Sequence, residues 1–117
     1  MNVEKRMEIE KKIVRHLIRE AKKAGWICVA VNNGGDEDEP VSTEAEAMDE
    51  AFACDEANLY FSKEVDGKLR TCIVLIVLGN DGYDVICDHS APEADVGGWN
   101  TLMAEVDAYA EKFAEVA

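Results

Sequence analysis

Three side chains with metal-binding chemistry fall close together in the C-terminal half of the sequence. Cys87 and His89 are two positions apart, so both would point to the same face of a strand. Antiparallel pairing with the preceding strand would place Cys72 across from His89. Thiolate sulfur and imidazole nitrogen are ligands that zinc prefers. A fourth ligand is missing, however, and this face is expected to belong to the core. The pattern therefore favours a buried histidine, and we expect neither a metal nor a cofactor.

Oxygen ligands for a cation could come from Asn80, Asp81, Asp84 and Asp88. Their spacing matches no calcium-binding loop. Asp84 and Asp88 would share one face of a strand but lie about 13 Å apart, which is too far to hold one ion without a third element. Asp81 has the position of a turn residue. These residues therefore predict a turn and no metal site.

The sequence contains no pattern that is typical of a catalytic centre. The Asn33-Gly34-Gly35 segment lacks the glycine spacing and the lysine of a phosphate-binding loop. His16 and His89 are the only histidines, and no serine or cysteine triad pattern accompanies them. We therefore expect no catalytic residue and a non-enzymatic role. The alternative is a small enzyme or small-ligand-binding protein with a site between sheet and helices.

The charge of the chain is large and unevenly distributed. The net charge is −13 over 117 residues. Residues 1–25 carry eight basic and four acidic residues, whereas residues 26–117 carry four basic and 21 acidic residues. The excess of negative charge disfavours direct binding to nucleic acid or to an anionic membrane. We expect the cations of the first helix to pair with the acidic remainder of the domain.

Two acidic segments form a candidate interaction surface for a basic host protein. The first is a row on the last helix, formed by Asp107, Glu111 and Glu115. The second is a charged loop, formed by Asp36, Glu37, Asp38 and Glu39. Such carboxylates could meet a basic groove or imitate the phosphates of nucleic acid. The competing explanation is that both segments only keep the chain soluble.

Length and composition predict a single domain over residues 1–117. The longest apolar run, residues 73–78, is far too short to span a membrane. The charged N-terminus lacks the apolar region of a secretory signal. We therefore expect a cytoplasmic protein whose four cysteines are reduced and mostly buried.

Periodicity and turn signals predict an α+β fold with the order α-β-α-β-β-β-α. The sheet is expected to have four mainly antiparallel strands, three of them in a meander, with helices packed on it. Thr43 and Glu46 form a capping box at the start of the second helix. The predicted helices are 3–24, 42–54 and 99–116; the predicted strands are 26–31, 57–65, 69–78 and 83–89, with a loop at 32–40.

The turns of the meander predict which side chains share a face. Two-residue turns at Asp66-Gly67 and at Asn80-Asp81 would set the register of all three strands. One face then carries Ile73, Leu75, Val77 and Ile86, and the opposite face carries Val74, Ile76, Val85 and Cys87. The first set is a candidate dimer face, and a second copy of the chain is the favoured partner. Coverage by the short second helix is the alternative.

Three segments resemble parts of small acidic proteins encoded by bacteriophages and plasmids: KKIVRHLIREAKKAGW, VSTEAEAMDEAFACDEANLYF and GNDGYDVICDHS. The resemblance covers most of the chain and implies a bacterial or phage setting. It also implies an accessory role. From the acidic segments, we separately expect this role to be exerted by protein–protein interaction through an acidic surface, by nucleic-acid mimicry or by inhibition of a host factor. The resemblance assigns no activity, so no functional residue follows from it.

Overall fold

The computed structural model describes residues 2–114 and confirms the α+β class. Three helices and five strands follow one another along the chain, with one short 3-10 turn before the last helix. In chain order they are α1 (Val3–Lys23), β1 (Ile27–Asn32), β2 (Glu39–Pro40), α2 (Glu44–Ala51), β3 (Glu56–Val65), β4 (Lys68–Val77), β5 (Ile86–Ser90), the 3-10 turn (Val96–Gly98) and α3 (Trp99–Glu111).

The five strands form one antiparallel sheet in the order β2-β1-β3-β4-β5. The prediction of four strands misses β2, which pairs Glu39 with Val31 and Pro40 with Ala30. A strand of two residues is too short to show an alternating pattern, and a run of acidic residues followed by proline is typical of a loop. Position 32, at the start of the predicted loop, ends β1 instead, so residues 33–38 form the loop between β1 and β2.

The first helix forms because strong helix formers carry an apolar stripe at helical spacing. Its start is capped by Asn2, whose side chain accepts a 2.8 Å hydrogen bond from the Lys5 N–H. Gly25, at a φ of +90°, carries the chain away from its end. The predicted stripe is buried in full: Ile9, Ile13, Val14, Leu17, Ile18 and Ala21.

Two cations of α1 pair with a carboxylate of a neighbouring helix, which confirms in part the predicted pairing with the acidic remainder of the domain. Arg19 donates to both carboxylate oxygens of Glu44 at the start of α2, and Arg15 lies 3.9 Å from the same carboxylate. These hydrogen bonds from Arg19 hold the pKa of Glu44 below its ordinary value. On the other side, His16 lies 2.8 Å from Glu105 of α3. The helix α1 is therefore the middle element of the helical layer.

All three helices cover the same face of the sheet. Side chains along β3 and β4 alternate strictly: those directed at the helices are almost fully buried, and the intervening ones remain partly exposed. The buried set consists of Ala57, Leu59, Phe61, Cys72, Val74 and Ile76. The protein is therefore a two-layer structure with one face of its sheet uncovered by any described residue.

The register of the β3–β4 hairpin is as predicted, with Asp66 and Gly67 both at positive φ in its turn. The register of β5 differs. Val74 pairs with His89 where Cys87 was predicted, and a bulge at Cys87 separates the two parts of the ladder. The β4–β5 connection is longer than a two-residue turn, since Val77 N–H bonds to the carbonyl of Val85. The strand therefore starts at Ile86, three residues later than expected.

A buried carboxylate holds this longer loop against α1. Glu10 is 1% exposed and accepts a 2.9 Å hydrogen bond from the Gly79 N–H. Its other oxygen lies 3.6 Å from Nε of Arg6, one helical turn earlier. Within the loop, the Asp84 carboxylate accepts the Asp81 N–H at 3.0 Å. Asp81 therefore lies in a turn as predicted, whereas Asp84, predicted on a strand, also belongs to this turn.

The two tryptophans join the start of the sheet to α3. Their rings meet edge to face at 5.2 Å between Trp26 and Trp99, and both are fully buried. The indole N–H of Trp26 donates to the carbonyl of Gly97 at 3.2 Å, and Lys63 donates to the same oxygen at 3.1 Å. Gly97 has a φ of +52°. A Cβ there would lie 3.0 Å from Val65 and 3.1 Å from Trp26.

We predict that Gly97→Ala destabilises the protein more than Gly98→Ala. Both residues have positive φ, so each alanine costs about 1 kcal/mol of backbone strain. Only position 97 adds a clash, because a Cβ at Gly98 meets nothing within 4 Å. We expect this clash to add roughly 1–3 kcal/mol to the loss of unfolding free energy. Urea unfolding of the two variants measures the difference, and equal losses would contradict the proposed crowding.

Candidate functional site: the open face of the sheet

The uncovered side of the sheet, here called the open face, is apolar at its centre. Cross-strand register builds a row in which Ala30, Tyr60, Ile73 and Ser90 lie side by side. Leu75 and Val77 extend the apolar surface along β4, and both are only partly buried. On β1, Ile27 is 44% exposed and Val29 is 39% exposed. Aliphatic side chains therefore contact solvent at the middle of the face. Their exposed surface contributes nothing to the stability of an isolated domain.

Three of the four predicted dimer-face residues lie on this face, and the fourth does not. Ile73, Leu75 and Val77 face away from the helices. The prediction for Ile86 is wrong, because Ile86 pairs with the core residue Ile76 and packs against the buried cluster. The bulge at Cys87 is the physical reason: one extra residue in β5 reverses the alternation that follows a regular ladder. The proposed cover from α2 is also wrong, since α2 packs on the helical side.

Polar and charged groups surround this apolar centre. Ser62 and Thr71 hydrogen-bond to each other across β3 and β4 at 3.0 Å. Asn58 lies on this face beside Leu75, and carboxylates occupy the perimeter, at Glu56 and Glu64 towards the two ends of β3 and at Asp88 on the edge strand. The face thus combines an apolar centre with a polar rim, which is the usual composition of a protein–protein interface.

The two predicted acidic segments lie towards opposite edges of the sheet. The loop residues Asp36, Glu37, Asp38 and Glu39 are exposed and lead into the edge strand β2. Asp107 lies near His89 of the other edge strand, β5. Four strand spacings separate these edges, or about 19 Å. The structure therefore does not bring the two segments into one patch.

Within the acidic row of α3, Asp107 and Glu111 are exposed, and Glu115 lies outside the described residues. Partial burial raises the pKa of Asp107, and repulsion from Glu111 adds to this, while His89 acts in the opposite direction. A carboxylate with a raised pKa is slightly harder to ionise than a free one. The row still presents negative charge at neutral pH.

A groove of about 690 Å³ lies between α1, β1 and the start of α2, where the alternative function would place a ligand site. Its floor includes Ile18 and Ile27, and its cations are Arg19, Lys22 and Lys23. Its size is within the range of small-molecule sites. Among the described residues that line it there is no histidine, and the carboxylate of Glu44 is already bound by Arg19. The groove therefore lacks a free acid–base pair.

The predicted zinc candidates do not converge. Cys72 is fully buried in the core, whereas Cys87 is exposed at the bulge. His89 faces the helical side beside Trp99, with ring centroids 6.4 Å apart. The expectation that the cysteines are mostly buried is met by Cys28 and Cys72 but not by Cys54 and Cys87, which are exposed.

A different cluster joins α1 to α3, and the sequence analysis missed it. Ligand atoms of His16, Glu20 and Glu105 lie within 4.8 Å of one another. The spacing of His16 and Glu20, one helical turn apart, is visible in the sequence. Glu105 is 89 residues from His16, so only the packing of the two helices reveals the third member.

Comparisons of the chain with protein-family models, curated proteins and solved structures find no significant match. Across residues 2–114, no helix combines the length and the apolar character needed to cross a membrane. The function of the protein therefore has to be inferred from the geometry of the open face, the acidic segments and the groove.

We predict that two of the four thiols react with iodoacetamide in the native protein and all four react after unfolding. Burial raises the pKa of both Cys28 and Cys72 to about 11, so each stays a thiol at pH 8 and is also inaccessible. Cys54 and Cys87 are exposed and free. Intact-mass spectrometry counts the adducts. Four adducts in the native state would contradict the buried positions, and fewer than four after denaturation without reductant would indicate a disulfide.

Proposed function

We propose that this protein is a protein–protein interaction module whose primary interface is the open face, occupied by a second copy of the chain. The single observation that carries the proposal is the position of the helices. All three pack on one side and leave Tyr60, Ile73 and Leu75 at the centre of a solvent-facing sheet. These three side chains are already partly buried, so complete cover by a partner would add only part of the roughly 1.5–3 kcal/mol that full burial of such a side chain contributes.

The dimensions of the open face suit a dimer. Four strands at about 4.8 Å spacing and averaging about eight residues give a plane of roughly 500 Å², before the relief of the side chains is counted. Standard stable interfaces bury about 800 Å² on each partner. Two such faces can pack as a sandwich about 10 Å apart. The arrangement suits two chains that each carry a net charge of −13, because carboxylates are confined to the rim of the face.

We predict that Ile73→Lys converts the dimer into a monomer. Ile73 lies in the central row, so a two-fold interface would bury two unpaired ammonium groups. The dissociation constant should rise about a hundredfold or more, which corresponds to roughly 3 kcal/mol. Sedimentation equilibrium over micromolar concentrations measures it. Leu69→Lys is the matched control, because Leu69 lies on the same side of β4 but is 72% exposed at the hairpin end.

A monomeric wild-type protein at every concentration would overturn the proposed dimer. So would an Ile73→Lys variant that associates as strongly as the wild type. If Leu69→Lys dissociates the dimer and Ile73→Lys does not, the interface lies at the hairpin end and the open face is not the contact.

We further propose that the acidic edges engage a basic host protein, as the resemblance to phage and plasmid accessory proteins suggests. In the proposed dimer these edges stay outside the interface, since the loop Asp36–Glu39 and the α3 row flank the sheet. The groove offers no free acid–base pair, which favours binding over catalysis. Two separate edges would give a dimer four acidic contact points.

We predict that reversing Asp107 and Glu111 to lysine weakens binding to a basic partner recovered from a bacterial lysate. Affinity should also fall with added salt, because charges at an exposed surface are screened over about 8 Å at physiological ionic strength. Surface plasmon resonance at two salt concentrations measures both effects. Reversal of Glu8 and Glu4 on α1, which are equally exposed, is the control. Affinity unchanged by the α3 reversal would assign this row to solubility.

A further inference from the structure

The contact between α1 and α3 contains a set of side chains suited to a transition metal. His16 and Glu20 lie one turn apart on α1, and Glu105 reaches them from α3. The His16 Nε2 atom lies 2.8 Å and 3.1 Å from the two Glu105 oxygens. One potential ligand atom from each of the three residues falls within 4.8 Å of the others.

The imidazole ring is held in position by α3. It stacks on Tyr109 with the ring centroids 3.8 Å apart and the planes 10° from parallel. Tyr109 is one helical turn after Glu105, so the same face of α3 both orients the ring and supplies the carboxylate. The stacking limits rotation of the imidazole, so Nε2 stays directed at Glu105. The side chains of His16 and Glu105 are 21% and 50% exposed, so a metal would retain access to water.

We propose that His16, Glu20 and Glu105 bind one divalent first-row transition metal, with Zn²⁺ as the probe that best fits the set. Nitrogen and carboxylate oxygen are both zinc ligands, whereas Mg²⁺ and Ca²⁺ select oxygen alone. The two carboxylates neutralise the charge of the ion. Water or an anion takes the fourth position, which leaves an open site of the type found in zinc enzymes.

The metal requires only small movements of the cluster. Ligands of tetrahedral zinc at about 2.1 Å lie roughly 3.4 Å from each other. The metal replaces the proton shared by His16 and Glu105, and their contact opens from 2.8 Å towards this spacing. Glu20 must exchange its 3.3 Å contact with Lys23, an exposed and flexible side chain, for the ion.

The surroundings of the cluster set the affinity and the fourth ligand. Lys12, Arg15 and Arg19 line a cavity of about 170 Å³ beside His16. These cations repel the metal ion. We therefore expect a micromolar dissociation constant for zinc, which is much weaker binding than at structural zinc sites. The cations also favour an anion, such as hydroxide or phosphate, in the open coordination position. The site lies on the helical side of the protein, so it is independent of the open face.

The test uses metal-free protein in which Cys54 and Cys87 are replaced by serine, because exposed thiols also bind zinc. Titration with ZnCl₂ in a calorimeter should show one ion per chain. His16→Gln and Glu105→Gln should each weaken binding by at least the tenfold that loss of a supporting group typically costs. Glu111→Gln and His89→Gln, which remove a carboxylate of α3 and the other histidine, should leave the affinity unchanged within about twofold.

A second measurement separates metal binding from the stability of the helix pair. Glutamine at position 16 keeps a donor for Glu105, and circular dichroism without metal should show an intact fold. Co²⁺ in place of Zn²⁺ should give visible absorption bands in the parent protein that are lost in the His16→Gln variant. Zinc affinity unchanged by His16→Gln, or abolished by His89→Gln, would overturn the proposal. So would a parent protein that binds no zinc at millimolar concentration.

Discussion

The packing of α1 on the sheet determines where every other part of the protein lies. Its apolar stripe is buried from Ile9 to Ala21, and its polar sides hold α2 through Glu44 and α3 through Glu105. Three helices at about 10 Å spacing span roughly the width of five strands at about 4.8 Å. One face of the sheet is therefore fully occupied by helices. No further element remains among the described residues to cover the other face.

Local sequence patterns predicted the helices and strands well. The features that they did not predict are determined by contacts between segments that are distant in the sequence. The two-residue Asp66-Gly67 turn requires positive φ at both positions, which few residue pairs adopt readily. The register of β3 and β4 could therefore be predicted from this turn. The glycines at 79 and 82 suggested a similar turn. There, however, the Gly79 N–H bonds to Glu10 on α1, and the loop lengthens around that contact. A bond between residues 69 positions apart leaves no periodic signal, and the displaced strand moved Ile86 to the core side.

Some features of the candidate surfaces could likewise be predicted from local sequence patterns, and others depend on the topology. Alternation along β4 alone placed Ile73, Leu75 and Val77 on one face, because a strand has a period of two whatever its neighbours do. The acidic segments are visible in the sequence, but their separation depends on which strands occupy the edges of the sheet. The cluster of His16 and Glu105 depends on the order of the helices in their layer. Charge and periodicity are local properties, whereas proximity across elements requires the topology.

The contact between His16 and Glu105 also has a consequence for how the chain folds during synthesis. It joins residues 89 positions apart, and α3 is the last of the described elements to be synthesised. The β3–β4 hairpin, by contrast, closes over a turn of two residues and can form early. The edge of β4 therefore stays unpaired until β5 emerges, and the core side of the sheet stays incompletely covered until residues 99–111 are made. Among the described elements, the last helix is the one that completes this cover.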